Sequence, residues 1–508
     1  MEIKSVKDKY KVRKKLNKDK SSAWVEQDVL VPDVKPDILK VINVSSIPFV
    51  EKVETAEGKA KIKGKINSYI LYESVEEKDP YRVVTYSYPY TEVVKIPNIT
   101  EKTKVDVDVK IRNSVFQIPN ERKVNIKNEL VFTSDTYREE EIEIIKSLEE
   151  NNGAEILKEK IKIPAIKYKE NKEVEVREEI VLDSSVPDID EIVIEKHNID
   201  NIEHKKNYNK VILKGDIEGY LVYTSKNTDK RINKETFRIP FTTYYEVPEI
   251  KDNYNVDFKV DIVNFYPRKN TDNVTSSSVI IDANVMCKLI ITENVETEVL
   301  KDMYFLNKSE NLINKELDLR IDNKINVVCD YKNKIKNILE PEENVIDYLV
   351  DSNNITCKCI NKNCFLEGTL KLNILSYNLK TKKINSKHLE MQVEYKKEIT
   401  DEVINPETNI VVNNMKINVD GEYMNISADI EANILNDKNS KVKVIDKIEA
   451  EDLDKDSLDD ITIYIVKPHD TLWSIAKKYK TTMQNILDSN NIPNKDKLKV
   501  GEKIVIIR

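Results

Sequence analysis

A chain of 508 residues is several times longer than a typical single domain, so it should hold several hydrophobic cores rather than one. Its 40% hydrophobic content is too high for wholesale disorder, and its 82 basic and 90 acidic residues are intermixed to a net charge of −8, which excludes the domain-wide positive field that gathers nucleic acid. With 8 glycines in the whole chain, no glycine-rich phosphate loop, dinucleotide fingerprint or nucleophile elbow is present, so no catalytic residue and no cofactor site is expected from those scaffolds.

The amino terminus, Met1 to Tyr10, lacks the apolar core of a secretory signal, and nowhere do 18 apolar residues run together. A cytoplasmic protein with no transmembrane segment is expected. Residues 1–20 carry nine Lys or Arg and read as a basic, solvated tail.

Beyond the tail the sequence repeats itself at an offset of 151 residues. Pro36-Asp37-Ile38 recurs as Pro187-Asp188-Ile189, and the Gly64 to Tyr72 strand recurs as Gly215 to Tyr223. Pro89-Tyr90 matches Pro240-Phe241, and Val105-Asp106-Val107 matches Val256-Asp257-Phe258. Inside each copy apolar residues alternate with period two, as at Val105, Val107, Val109 and Ile111, which demands half-buried strands. The repeated Gly that opens the Tyr-rich strand marks a bulge or a close backbone approach. The charged stretch Glu139 to Leu157 reads as a helix or linker, with a boundary near residue 170. These signals predict β-rich modules at 21–170 and 171–320. A third, degenerate copy at 321–435 keeps Gly368 to Leu375 but reads Leu339-Glu340-Pro341 in place of Pro-Asp-Ile. The acidic stretch 436–461 is predicted to be a flexible tether.

The last segment, 462–508, changes character. Tyr464 and Val466 share one face of a short strand, Asp470 or Thr471 can cap a helix carrying Leu472, Ile475, Ala476 and Tyr479, and Thr481 or Thr482 can cap a second helix. Lys503 to Ile507 make a closing strand. The fold class is therefore mainly β: tandem antiparallel, sandwich-like modules followed by a small α+β module of βααβ order. Residues 464–507, with Tyr-Ile-Val, Asp-Thr-Leu-Trp-Ser-Ile-Ala and Val-Gly-Glu, resemble the LysM family. That resemblance implies a shallow groove for N-acetylglucosamine glycans such as peptidoglycan, formed by Asp470, Thr471, Leu472, Asn491, Ile492 and Pro493. His469 stands where the family usually has Gly, which favours a protein partner over a sugar. Trp473 and Ile475 are assigned to the module's core.

The upstream repeats, Pro-Asp-Ile followed 28 residues later by Gly and a Leu/Val-Tyr strand, resemble the SPOCS domain, and tandem SPOCS copies ending in LysM resemble the SipL-type spore-coat morphogenetic family. The resemblance implies a mother-cell cytoplasmic protein at the outer forespore surface, which reconciles a LysM module with the missing export signal. Its implied partners are the coat morphogenetic ATPase, which polymerises on the forespore, and other coat proteins. A LysM-tethered peptidoglycan-binding protein or cell-wall hydrolase is the rival reading, but repetition suits multivalent docking better than one active site. No metal site is expected. The four histidines are dispersed, with His197 and His204 on the surface. Cys357, Cys359 and Cys364 lack a nearby fourth ligand and read as buried or incidental thiols, and five cysteines in all fit a reducing compartment.

Overall fold

The computed structural model describes residues 2–76, 80–150, 153–226, 231–271, 277–400, 403, 407–453, 461–492 and 498–507. Its first nine-tenths are strands, arranged as one six-strand unit repeated three times. The first unit comprises β1 (Ser5–Leu30), β2 (Ile38–Ala56), β3 (Lys59–Ser74), β4 (Tyr81–Lys95), β5 (Lys104–Asn120) and β6 (Lys123–Leu148). The second comprises β7 (Ala154–Val181), β8 (Ile192–Asn207), β9 (Lys210–Thr224), β10 (Ile232–Glu246), β11 (Tyr254–Lys269) and β12 (Ser278–Phe305). The third comprises β13 (Lys308–Lys336), β14 (Glu343–Ile360), β15 (Asn363–Asn378), β16 (Lys383–Glu398), β17 (Glu407–Asp420) and β18 (Tyr423–Asp452). In each unit the middle three strands form an antiparallel meander, while the first, sixth and fifth pair as β1-β6-β5, β7-β12-β11 and β13-β18-β17.

The two sheets of a unit face each other as a sandwich. In the first, Ile62, Ile66, Tyr88 and Tyr90 of the meander pack on Leu130 and Phe132 of β6 and on the Val105 to Ile111 row of β5. The second and third units have equivalent cores. Along β12, Val279, Ile281, Ala283, Val285, Cys287, Leu289 and Ile291 are all buried, a strict period of two.

The repeat signature now has a physical reading. Gly64 lies opposite Tyr90, and Gly215 opposite Phe241. A Cβ on Gly64 would stand 2.0 Å from the Phe49 carbonyl oxygen and 2.6 Å from the Tyr90 ring, and one on Gly215 would stand 2.6 Å from the Phe241 ring. The aromatic ring occupies the space the glycine leaves, so the two positions recur together. The Tyr closing the strand is tied to the Pro-Asp corner in the same manner: the Tyr72 hydroxyl donates to the Pro36 carbonyl at 3.0 Å and the Tyr223 hydroxyl to the Pro187 carbonyl at 3.2 Å. In the third unit the Asn378 amide donates to the Pro341 carbonyl at 3.3 Å. The degenerate copy thus keeps the tie with a different donor.

The units are not beads on a string; they close into a ring of three. Around one end, Lys35 pairs with Glu191 at 2.5 Å, Lys196 pairs with Asp347 at 2.8 Å, and the Tyr81 hydroxyl donates to the Lys382 carbonyl at 2.6 Å, linking first to second, second to third and third to first. Tyr69, Leu71, Val193, Val222, Ile346 and Tyr377 from all three meanders share one core there. At the other end the long strands outrun their sandwiches as two-stranded ribbons. Val12, Ile144, Ile163, Val299, Leu317 and Val444, one from each of the six ribbon strands, meet in a common hub. Register shifts between Lys15 and Lys18 of β1 and between Ile291 and Thr292 of β12 separate the sandwich stretch from the hub stretch.

Several boundaries differ from those expected. Residues 1–20 are not a tail: β1 pairs with β6 from Ser5 onward, and its lysines line up with acids of β6, as Lys9 does with Glu141 at 3.1 Å. Among the described residues of Glu139 to Leu157 there is no helix; they are the end of β6 and the start of β7, with charges alternating with Ile142, Ile144 and the rest of the hub face. The boundaries at 170 and 320 fall inside β7 and β13, because the repeat offset fixes the spacing of the units but not where each begins. Residues 436–452 are not a tether but the second half of β18, paired with β13, and residues 454–460 lie outside the described ones.

Glu195 is fully buried in the ring's interior beside Tyr69, whose side-chain bond to it only partly offsets the cost of burying the carboxylate. Burial pushes its carboxyl up to about 8, well above its ordinary 4.5. The folded protein therefore keeps a proton that the unfolded chain releases, and Glu195 makes stability fall as pH rises from about 4.5 to 8, at up to ~1.4 kcal/mol per pH unit. Glu195→Gln is expected to flatten that decline. Denaturant midpoints measured across pH 5 to 8, flatter in the variant than in the parent, check it; parallel curves would contradict it.

Candidate functional site

The carboxy-terminal module is built from β19 (Ile461–Ile465), α1 (Leu472–Tyr479), α2 (Met483–Asp488) and β20 (Lys503–Ile507). Both helices pack on one face of the β19-β20 pair, where Tyr464, Val466, Ile504 and Ile506 meet Leu472, Ile475, Ala476 and Ile486. Thr471 caps α1: its side chain accepts from the Ser474 amide while the Ser474 hydroxyl accepts from the Thr471 amide. Thr482 caps α2 in the same way, accepting from the Asn485 amide.

Between β19 and α1 the chain makes a turn in which the Asp470 amide donates to the Lys467 carbonyl at 3.2 Å, with Pro468 second and His469 third. His469 has φ of +70°, the left-handed conformation that glycine adopts without steric cost. A glycine would take up this turn without that cost. His469→Gly is expected to stabilise the module by about 0.5–1 kcal/mol, read as a raised melting temperature; an unchanged or lowered melting temperature would contradict a strained turn.

Asp470 closes the same turn. Its Oδ2 accepts from the Lys467 amide at 2.7 Å and from the Tyr464 hydroxyl at 2.8 Å, and these two bonds, the amide first, hold its carboxyl below the usual range. Leu472 is buried core and Ile492 packs against that core, so both serve the fold. Asn491 is exposed, beside Asn490, whose side chain braces α2 against β20 by accepting from the Val505 amide at 2.7 Å. Pro493 lies outside the described residues. Of the predicted groove, His469 and Thr471 are exposed on one turn, and Asn491 is exposed on the loop after α2.

Ile475 is buried in the core as expected, and Trp473 packs against that core while also reaching beyond the module. The Trp473 indole donates to Asp302 Oδ2 at 2.8 Å and its ring meets Tyr304 edge-on at 5.0 Å. Lys477 pairs with the same Asp302 at 2.5 Å, Lys480 pairs with Glu310, and the Tyr304 hydroxyl donates to the Thr481 carbonyl at 2.7 Å. Although burial pushes Asp302 up, the bonds from Lys477 and Trp473 hold it below the usual range. The module is therefore seated on the β12-β13 junction through one side of α1.

Among the described residues, nothing covers the opposite face of the β19-β20 pair. Ile461, Ile463 and Ile465 are 66%, 66% and 54% exposed, with Ile507 at 44%, and Ile461 stands opposite Ile507. Sequence reasoning missed this face. The signal was there, since β19 is apolar at Ile461, Ile463 and Ile465 as well as at Tyr464 and Val466, so both faces of one strand are apolar.

Elsewhere, His197 is not a surface residue: it stacks on Phe265 at 4.1 Å between rings, and burial lowers its imidazole to about 4. His204 is exposed, as expected. Cys287, Cys329 and Cys357 are free and buried, while Cys359 and Cys364 are joined as a disulfide across the β14-β15 hairpin.

Comparison with known proteins fits this geometry. Residues 464–506 match the LysM domain, and residues 37–118, which run from the Pro-Asp corner through β5, match the SipL SPOCS domain. A cortical fragment-lytic enzyme of Bacillus subtilis (strain 168) is 54% identical over 44 residues, 9% of this chain and 10% of that enzyme. The chain thus spans a tenth of the length of this curated relative. No solved structure matches the chain. The two domains associate it with sporulation and the spore coat, and with peptidoglycan as a ligand class. Among the described residues no helix is long and apolar enough to cross a membrane.

Proposed function

We propose that this chain is a non-enzymatic scaffold of spore-coat assembly, made in the mother-cell cytoplasm and held at the outer forespore surface. Its LysM module docks on the coat morphogenetic ATPase, and its ring of three β units offers surfaces to other coat proteins. The observation that carries this reading is the bare isoleucine face of the β19-β20 pair. Side chains of Ile461, Ile463, Ile465 and Ile507 lie on one flat sheet face, and such an apolar patch on a small polar module marks a surface that another protein covers. Sugar rings are held instead by convergent polar groups, and here Asp470 is committed to its own turn.

The second reading, peptidoglycan binding, rests on the LysM match itself and on the exposed turn at His469 and Thr471 facing solvent with Asn491. The test is retention of the ATPase from sporulating-cell extract by the full chain, compared with retention by the chain carrying Ile463→Asp and Ile465→Asp. Both positions are more than half exposed, so the module's fold should survive the change.

A further inference from the structure

Sequence spacing alone left three cysteines without a purpose, and the β14-β15 hairpin gives them one place. Cys357 and Cys359 are two residues apart on β14, so their side chains leave the same face of the strand. Cys364 stands directly opposite Cys359 on β15, with Cα atoms 4.1 Å apart. The three sulfurs all lie within 4.8 Å of one another. A thiolate ligand sits about 2.3 Å from Zn(II), so three sulfurs around one such ion stand about 4 Å apart, a spacing this trio reaches with side-chain rotation alone.

The setting suits a soft ion. Cys357 and Cys364 belong to the apolar core of the third unit, and Cys359, half-buried, packs against that same core. Three sulfurs leave the fourth tetrahedral position of such an ion to water or to a ligand from a partner. No carboxylate or imidazole joins the cluster among the described residues, so the donor set is sulfur alone, the set that selects thiophilic ions over magnesium or calcium.

We propose that Cys357, Cys359 and Cys364 form a three-thiolate site for one thiophilic d10 cation, of the Zn(II) or Cu(I) class, and that the Cys359–Cys364 disulfide is the closed, metal-free form of that site. Opening it takes two electrons and two protons from a dithiol reductant, which leaves as its own disulfide while Cys359 and Cys364 become thiols. The cation then displaces the protons of the three thiols. Metal occupancy in the third unit thus depends on the thiol–disulfide balance around the protein. Cys287 and Cys329 stand apart from the cluster and take no part.

Cd(II) titration of the full-length chain tests this, read by the ultraviolet charge-transfer band of thiolate-bound cadmium. The chain reduced with a phosphine and desalted under nitrogen is expected to saturate at one equivalent, and the oxidised chain to give no band. Cys357→Ser, Cys359→Ser and Cys364→Ser should each weaken binding at least about 100-fold, beyond what loss of an outer-shell contact costs. Cys287→Ser should leave it unchanged. Because a serine in the core could disturb folding, the oxidised parent serves as the control that needs no substitution. A reduced chain whose band is no stronger than that of the oxidised chain overturns the site, as does a Cys287→Ser variant that loses as much as Cys357→Ser.

Discussion

Gly64→Ala is expected to destabilise the first unit by about 3 kcal/mol or more, a large effect for adding one methyl group. The new Cβ would meet the Phe49 carbonyl oxygen at 2.0 Å, and backbone held in a sheet ladder cannot withdraw as a flexible side chain would. It would also strike the Tyr90 ring, whose hydroxyl is already fixed on that same carbonyl at 3.1 Å. Gly58 is the internal control. It lies in the β2-β3 turn with φ of +68° and nothing within 4 Å of where a Cβ would stand, so Gly58→Ala meets only the left-handed backbone cost of about 1 kcal/mol. Chemical denaturation of both variants should therefore separate them clearly. Equal losses at the two positions would contradict the close approach of backbone and ring at Gly64.

Ile163→Asp is the second change with a large expected effect, about 4–5 kcal/mol, because it buries an unpaired carboxylate where all three ribbons meet. Ile163 is fully buried in that hub, and Ile163→Val should cost only about 1 kcal/mol. The ring closure makes a more specific claim than the magnitude. Since six strands from three units share the hub, the aspartate should weaken all three units together, and limited proteolysis should release fragments from the first and third units as readily as from the second. Cleavage confined to 154–305 would mean that the units are stable independently and that the hub joins them only loosely.

Much of this architecture could be read in the sequence, and the parts that could not were hidden for physical reasons. The 151-residue offset was visible because Gly64 with Tyr90 and Tyr72 with Pro36 are paired demands, each satisfied again in the second unit. The phase of the repeat was not visible, because β1, β6 and the start of β7 alternate apolar residues with Lys and Glu so regularly that composition alone looks like a solvated tail or a charged helix. The same alternation disguised 436–452. The ring could not be inferred at all, since Lys35 with Glu191 and Tyr81 with Lys382 are single polar contacts across distant positions. In the last module the helix caps at Thr471 and Thr482 were both among the residues foreseen, because capping is local. The docked side of Trp473 and the bare face of Ile463 depend on what lies beyond the module, and a local pattern carries no record of that.

On the proposed function, a protein covers the face of Ile461, Ile463, Ile465 and Ile507. The most direct test exposes the immobilised full chain, in parental and Ile463→Asp, Ile465→Asp forms, to sporulating-cell extract and separately to purified peptidoglycan. Two aspartates in the middle of a patch that a partner must desolvate should lower retention at least about tenfold. The expected result is a coat ATPase retained from extract by the parent and lost by the variant, with no soluble peptidoglycan fragments released by either. Equal retention of the ATPase by both forms, or binding to peptidoglycan alone with release of fragments, would contradict the account and return the module to wall recognition.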